Sequence, residues 1–169
     1  MRSTTHPFHA RRSMRLAGYD HSQAGAYFVT VCTQDRACLF GEVVDGEMRL
    51  NPSGQAVASV WQALPEHYAH VQVDAFVVMP NHVHGVVVLA LDTPASPRHG
   101  LSEVVRGFKT FSARRANEFR KARGVAVWQR AFHDQVIRDA AILCQIRKYI
   151  AANPFEWPNE SDHPEGAGL

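Results

Sequence analysis

Residues 79–89 read MPNHVHGVVVL, with two histidines one residue apart at the head of an apolar run. A β-strand points alternate side chains to the same side, so His82 and His84 project from one face, roughly 6 to 7 Å apart at Cβ. Val83 and Gly85 face the other way. Just upstream, VQVDAFVVMP is a second β-branched run, and Pro80 with Asn81 makes a tight turn between the two. The pair predicts an antiparallel hairpin. On spacing alone, the histidines read as half-buried core residues at least as readily as metal ligands, because a third ligand must come from elsewhere in the chain.

Working outward, AYFVTVCTQ predicts a strand, and GEVVDGEMRLN a small hairpin turning at Asp45 and Gly46. Val57, Val60, Trp61 and Leu64 fall at helical spacing in NPSGQAVASVWQALPEHY, which predicts one helix ending near Pro65. LDTPASPRHG is a polar, proline-containing loop. The segment that follows, LSEVVRGFKTFSARRANEFRKAR, is a long amphipathic helix with Val104, Val105, Phe108, Phe111 and Phe119 marking its apolar face. VWQRAFHDQVIRD predicts a last strand, and DAAILCQIRKYIAANP a final helix stopped by Pro154. This order of strand, helix, two strands, helix, strand and helix is that of an α+β, ferredoxin-like (split βαβ) fold. It implies an antiparallel sheet with helices on one face, a small hairpin insertion, and a further C-terminal helix.

The 169 residues suit a single domain, and 46% hydrophobic with 20% charged residues is ordinary for a soluble globular protein. Cys32, Cys38 and Cys144 lack CxxC spacing, which speaks against a disulfide framework or a thiolate zinc site. Residues 1–24 carry Arg11 and Arg12 but no uninterrupted apolar core of a secretory signal, and no run is long enough to span a bilayer. The expected location is therefore the cytoplasm.

Net charge is only +2, yet residues 101–123 hold seven basic residues (Arg106, Lys109, Arg114, Arg115, Arg120, Lys121, Arg123) against Glu103 and Glu118. Such a run is usually a solvated helix face; it is also what a phosphate-binding surface looks like. Arg115 falls among the apolar positions of the helical wheel, which suits a defined partner or a snorkelling side chain.

In the final helix Tyr149 and Asn153 are spaced i, i+4 and so lie about one turn apart on one face, a phenol beside an amide. Ile142 and Ile146 share that face, so spacing alone leaves Tyr149 as readable as a core residue. The motifs MPNHVHG, WQRAFHDQVIRD and KYIAANP, in this order and with YFVTVCTQDRACLFGEV, LNPSGQAV and LSEVVRGFKTFSARR between and before them, resemble the REP-associated tyrosine transposases. These are single-tyrosine relatives of the HUH endonucleases within the IS200-like group. After Pro154 the chain reads FEWPNESDHPEGAGL, where the more familiar family pattern has small residues and a Gly-Leu pair.

The resemblance implies Tyr149 as the catalytic nucleophile and His82, His84 and Asn153 as ligands of a divalent cation, Mg2+ or Mn2+. It implies a metal-dependent endonuclease and strand transferase that cuts single-stranded DNA near a REP-type hairpin through a 5′-phosphotyrosine. It also implies a bacterial, nucleoid-associated setting and either a monomer or a homodimer. DNA contacts are expected from Arg106, Lys109, Arg114, Arg115, Arg120 and Lys121, with Arg11 and Arg12 of the extension. The expected organisation is a basic extension (1–24), a catalytic domain (25–157) and a polar tail (158–169). Two other readings are a non-catalytic nucleic-acid-binding module on the same fold and a hydrolase that uses water beside a bystander tyrosine.

Overall fold

The computed structural model describes residues 23–91, 99–160 and 163. Strands β1 (Gly25–Cys32), β4 (Val71–Met79), β5 (His82–Leu89) and β6 (His133–Ile137) form one sheet in the order β4-β5-β1-β6, every neighbouring pair antiparallel. This is the ferredoxin-like order. β2 (Gly41–Val44) and β3 (Glu47–Leu50) make a separate hairpin. At its turn Asp45 and Gly46 both adopt positive φ, 53° and 76°, the conformation a two-residue Asp-Gly turn needs to match strand twist.

Helices α1 (Pro52–Gln62), α2 (Leu64–His67) and α3 (Leu101–Arg120) cover one face of the sheet, over a core of Tyr27, Val29, Val31, Val83 and Val87 with Trp61 and Phe108. α4 (Ala140–Glu156) covers the other, packing Ile146, Tyr149 and Ile150 against Phe28 and Val86. Gly85 is required by the first face, because a Cβ there would lie 2.3 Å from the Trp61 ring.

Four local expectations are corrected. The helix over residues 52–67 is two pieces: Pro65 has no N–H to bond the Trp61 carbonyl, so α1 ends at Gln62 and α2 begins anew with the proline in its first turn. On α3 the buried stripe runs through Leu101, Val104, Val105, Phe108, Ser112 and Ala116, and the small side chains at 112 and 116 let α1 approach. Phe111 and Phe119 are displaced to the flanks, 49% and 59% exposed. The last strand begins only at His133; Val127 and Trp128 are buried instead in a segment that meets the chain just past β1 through an isolated bridge, Thr33 to Trp128. Finally, α4 passes through Pro154 to Glu156. Buried Ile150 and Trp157, on either side of the proline, hold that last turn in place despite the missing hydrogen bond.

Candidate active site

The hairpin β4–β5 places His82 and His84 on the face covered by α4, both fully buried. Each ring is held through Nδ1. His82 Nδ1 lies 2.8 Å from Asn81 Oδ1, and Asn81 is itself fixed by donating Nδ2 to the Arg36 carbonyl. His84 Nδ1 lies 2.7 Å from Thr30 Oγ1, from the directly paired position on β1. With Nδ1 engaged in this way, Nε2 of each ring is the atom presented to the site.

Tyr149 comes to these rings from α4, its hydroxyl 3.4 Å from His84 Nε2. Phe28 fixes the arrangement by stacking on His84 (centroids 5.4 Å apart) and meeting Tyr149 edge-on at 6.0 Å. Trp157 closes the other side, 5.9 Å from the His82 ring.

Asn153 is fully buried one turn beyond Tyr149. Its Nδ2 donates to Glu160 Oε1, while its Oδ1 is buried without a hydrogen bond. Glu160 is the residue that sequence reasoning missed. The turn Trp157–Asn159 folds the chain back so that this carboxylate, 7% exposed, lies 3.4 Å from the Tyr149 hydroxyl and 3.9 Å from His82 Nε2. Ligand atoms of His82, His84 and Glu160 all lie within 4.8 Å of one another, a buried donor set able to hold a metal ion. The departure of FEWPNE from the more familiar family pattern was the signal that this segment differs, but no helical or strand period links residue 160 to the histidines.

Electrostatics follow from burial. The Tyr149 phenol is pushed far above its ordinary pKa, first by desolvation and then by the Glu160 carboxylate beside it, against a smaller opposing effect of Asn153. The resting tyrosine is therefore a neutral phenol.

The basic residues of α3 do not gather on this face. Arg106, Lys109, Arg114 and Lys121 line hollows on one flank of the helix, and Arg120 donates to Asn117 Oδ1 nearby. Arg115 lies on the opposite flank, in a small hollow with Phe111 and His67, whose rings stack. Arg11 and Arg12 lie outside the described residues. The WQRAFHDQVIRD motif is structural in part: Trp128 Nε1 donates to Ser112 Oγ, and His133–Ile137 form β6. Among the described residues, no helix is long and apolar enough to cross a membrane.

The family described as IS200-like transposase matches residues 23–153. A Haemophilus influenzae protein of uncharacterised function is 35% identical over 171 residues, covering 90% of this chain and 92% of its own. A second H. influenzae protein, provisionally named a REP-associated tyrosine transposase, is 26% identical and covers 85% of this chain and 83% of its own. Among solved structures, a REP-associated tyrosine transposase bound to a REP hairpin superposes with a TM-score of 0.58 at 20% identity, over 82% of this chain and 71% of that one. The last likeness concerns the fold.

Proposed function

Because the chain belongs to the IS200-like transposase family, we propose that it cuts and rejoins single-stranded DNA beside a hairpin, with Tyr149 as nucleophile. The observation that carries this reading is the 3.4 Å approach of the Tyr149 hydroxyl to His84 Nε2 inside the buried His82, His84 and Glu160 cluster.

The donors fit a divalent cation: two Nδ1-anchored imidazoles, one carboxylate, and the Asn153 Oδ1 that is buried without a hydrogen bond. His82, His84, Glu160 and Asn153 would hold it, and two oxygen donors suit Mg2+ or Mn2+. Such an ion, when bound, supplies positive charge against the charge that builds on the phosphate oxygens.

The protein's own groups account for the rest. α4 holds the Tyr149 hydroxyl beside the cluster, and Glu160 Oε1, 3.4 Å away, is in reach of its proton. The freed phenolate oxygen attacks phosphorus, the bond to O3′ breaks, and O3′ takes up a proton from water while Glu160 returns the tyrosine proton to solvent. The products are a 5′-phosphotyrosine and a free 3′-hydroxyl. Attack by another 3′-hydroxyl on the same phosphorus reverses these steps and releases the tyrosine, so rejoining needs no external energy source. Chromosomal hairpin DNA of the REP kind, in the bacterial cytoplasm, is the substrate this reading names.

End-labelled hairpin oligonucleotides incubated with the protein and Mn2+ or Mg2+ test it on a denaturing gel. A metal-dependent protein–DNA adduct that is absent from Tyr149→Phe, with hairpin binding retained, is the expected result. Metal-dependent cleavage without an adduct would identify water as the nucleophile, and binding with neither would identify a non-catalytic nucleic-acid-binding module.

A further inference from the structure

α4 covers its face of the sheet unevenly. It packs on β4 and β5 and reaches Ile137 at one end of β6. Toward the other end of that strand Gln135 is exposed and His133 half-buried, and both share the face of Ile137 because alternate strand residues point the same way. Pairing continues a row outward from the histidine cluster: His84 opposes Thr30, and Thr30 opposes His133. Two strand spacings set His133 about 10 Å from His84 between Cα atoms. Phe28, Thr30, Asn81, Tyr149, Trp157 and Glu160 surround the two imidazoles, and of these Thr30 alone is not buried. The way into the cluster therefore runs over Thr30, toward β6.

We propose that His133 and Gln135 form a base-reading subsite at this entrance, taking the nucleotide next to the scissile phosphate. The inference rests on the DNA-cleaving function proposed above and gives that same site its sequence preference. Three observations carry it. The His133 ring is too far along the row to reach a phosphate seated between His84 and Tyr149, and close enough to meet the neighbouring nucleotide. The positions of β1 and β6 that share this face, Ala26, Phe28, Thr30, Gln135 and Ile137 with His133, include neither lysine nor arginine. This edge thus offers hydrogen bonds without the fixed positive charge that phosphate contacts use, and a glutamine amide matches the paired donor and acceptor of a base edge such as adenine's. Finally, His133 Nδ1 is buried without a hydrogen bond, so the fold does not use this ring as a hydrogen-bonded strut through that atom.

A hairpin oligonucleotide with randomised single-stranded flanks, cleaved in Mn2+, tests this when both cleavage products are sequenced. Gln135 is exposed, so Gln135→Ala leaves the core closed, and His133→Phe keeps a ring in place while removing its hydrogen bonding. Gln62→Ala removes the same amide from the exposed surface of α1, on the other face of the sheet. The parent is expected to favour particular bases at a position next to the cut, and Gln135→Ala to flatten that preference about fivefold or more. His133→Phe should flatten the same position. Mn2+ affinity by calorimetry should stay within about twofold of the parent in both, which a distorted metal cluster would not allow. Preference unchanged in either folded variant, flattened equally in Gln62→Ala, or flattened in Gln135→Ala only together with a loss of Mn2+ affinity would each overturn the proposal. Cleavage by the parent with the same base preference in the variants rejects the subsite and retains the chemistry, whereas a parent that cuts no DNA overturns both.

Discussion

Asn153 Nδ2 donates a hydrogen bond to Glu160 Oε1, seven positions further along the chain, so the helix that carries the tyrosine is clasped by the segment that leaves it. One carboxylate thereby touches the amide, the phenol and the neighbourhood of His82. Glu160→Gln keeps the size and most of the hydrogen bonding but removes the charge. Calorimetric titration with Mn2+ is expected to show a loss of affinity of about tenfold or more, comparable to that of altered metal-site shells. Tyr149→Phe should stay within about twofold of the parent protein in the same titration. Unchanged affinity in Glu160→Gln would remove this residue from the donor set.

Thr30 acts on the same centre from behind, through His84 Nδ1. Thr30→Val preserves shape and β propensity while leaving that nitrogen without its partner. Mn2+ affinity should fall about 10- to 100-fold while the melting temperature moves little. A large drop in melting temperature with affinity preserved would make the hydrogen bond a folding contact instead.

Gly85 faces Trp61 across a gap that cannot hold a methyl group. Gly85→Ala should destabilise the fold by about 1–3 kcal/mol in urea unfolding, because both the ring and the strand are fully packed. Neutral stability would mean that Trp61 is free to retreat.

Asp74 of β4 receives two hydrogen bonds from Arg147 of α4, at 2.8 and 2.7 Å, which hold its carboxyl below the usual range. The folded-state value is thus lower than the unfolded one, about 3.9. The contribution is present above that pH and is lost as pH falls through the folded-state value. The stability advantage of the parent over Asp74→Asn should be measurable at neutral pH and shrink progressively towards zero in strong acid, below about pH 3.9, as read by urea unfolding at each pH. An advantage that persists there would show that the pair acts through neutral hydrogen bonds.

The strands were legible because each alternates or runs apolar between turn residues, and the Asp45–Gly46 turn was legible because few dipeptides tolerate two positive φ values. His82, His84 and Tyr149 could be singled out by local spacing together with the resemblance of the ordered motifs. Hydrophobicity marks Phe111 and Phe119 for burial, whereas the small Ser112 and Ala116 occupy the positions nearest α1. Pro154 predicts a helix stop from sequence, but tertiary contacts on either side outweigh one absent hydrogen bond. Glu160 was invisible for a different reason. Its role depends on a turn that reverses the chain after α4, and a lone acidic residue in a polar stretch carries no period to mark it.

β5 is a strand with two incompatible sides. Were its pairing to slip by a single residue, an imidazole or a valine would be driven against Trp61 where only Gly85 fits, and the histidines would exchange places with the core. The misfolded alternative is thereby excluded by steric penalty as well as by lost burial. A sequence that inserts or deletes one residue in the Pro80–Asn81 turn would forfeit stability and chemistry together, which makes the length of that turn as strict a requirement as the identity of the ligands.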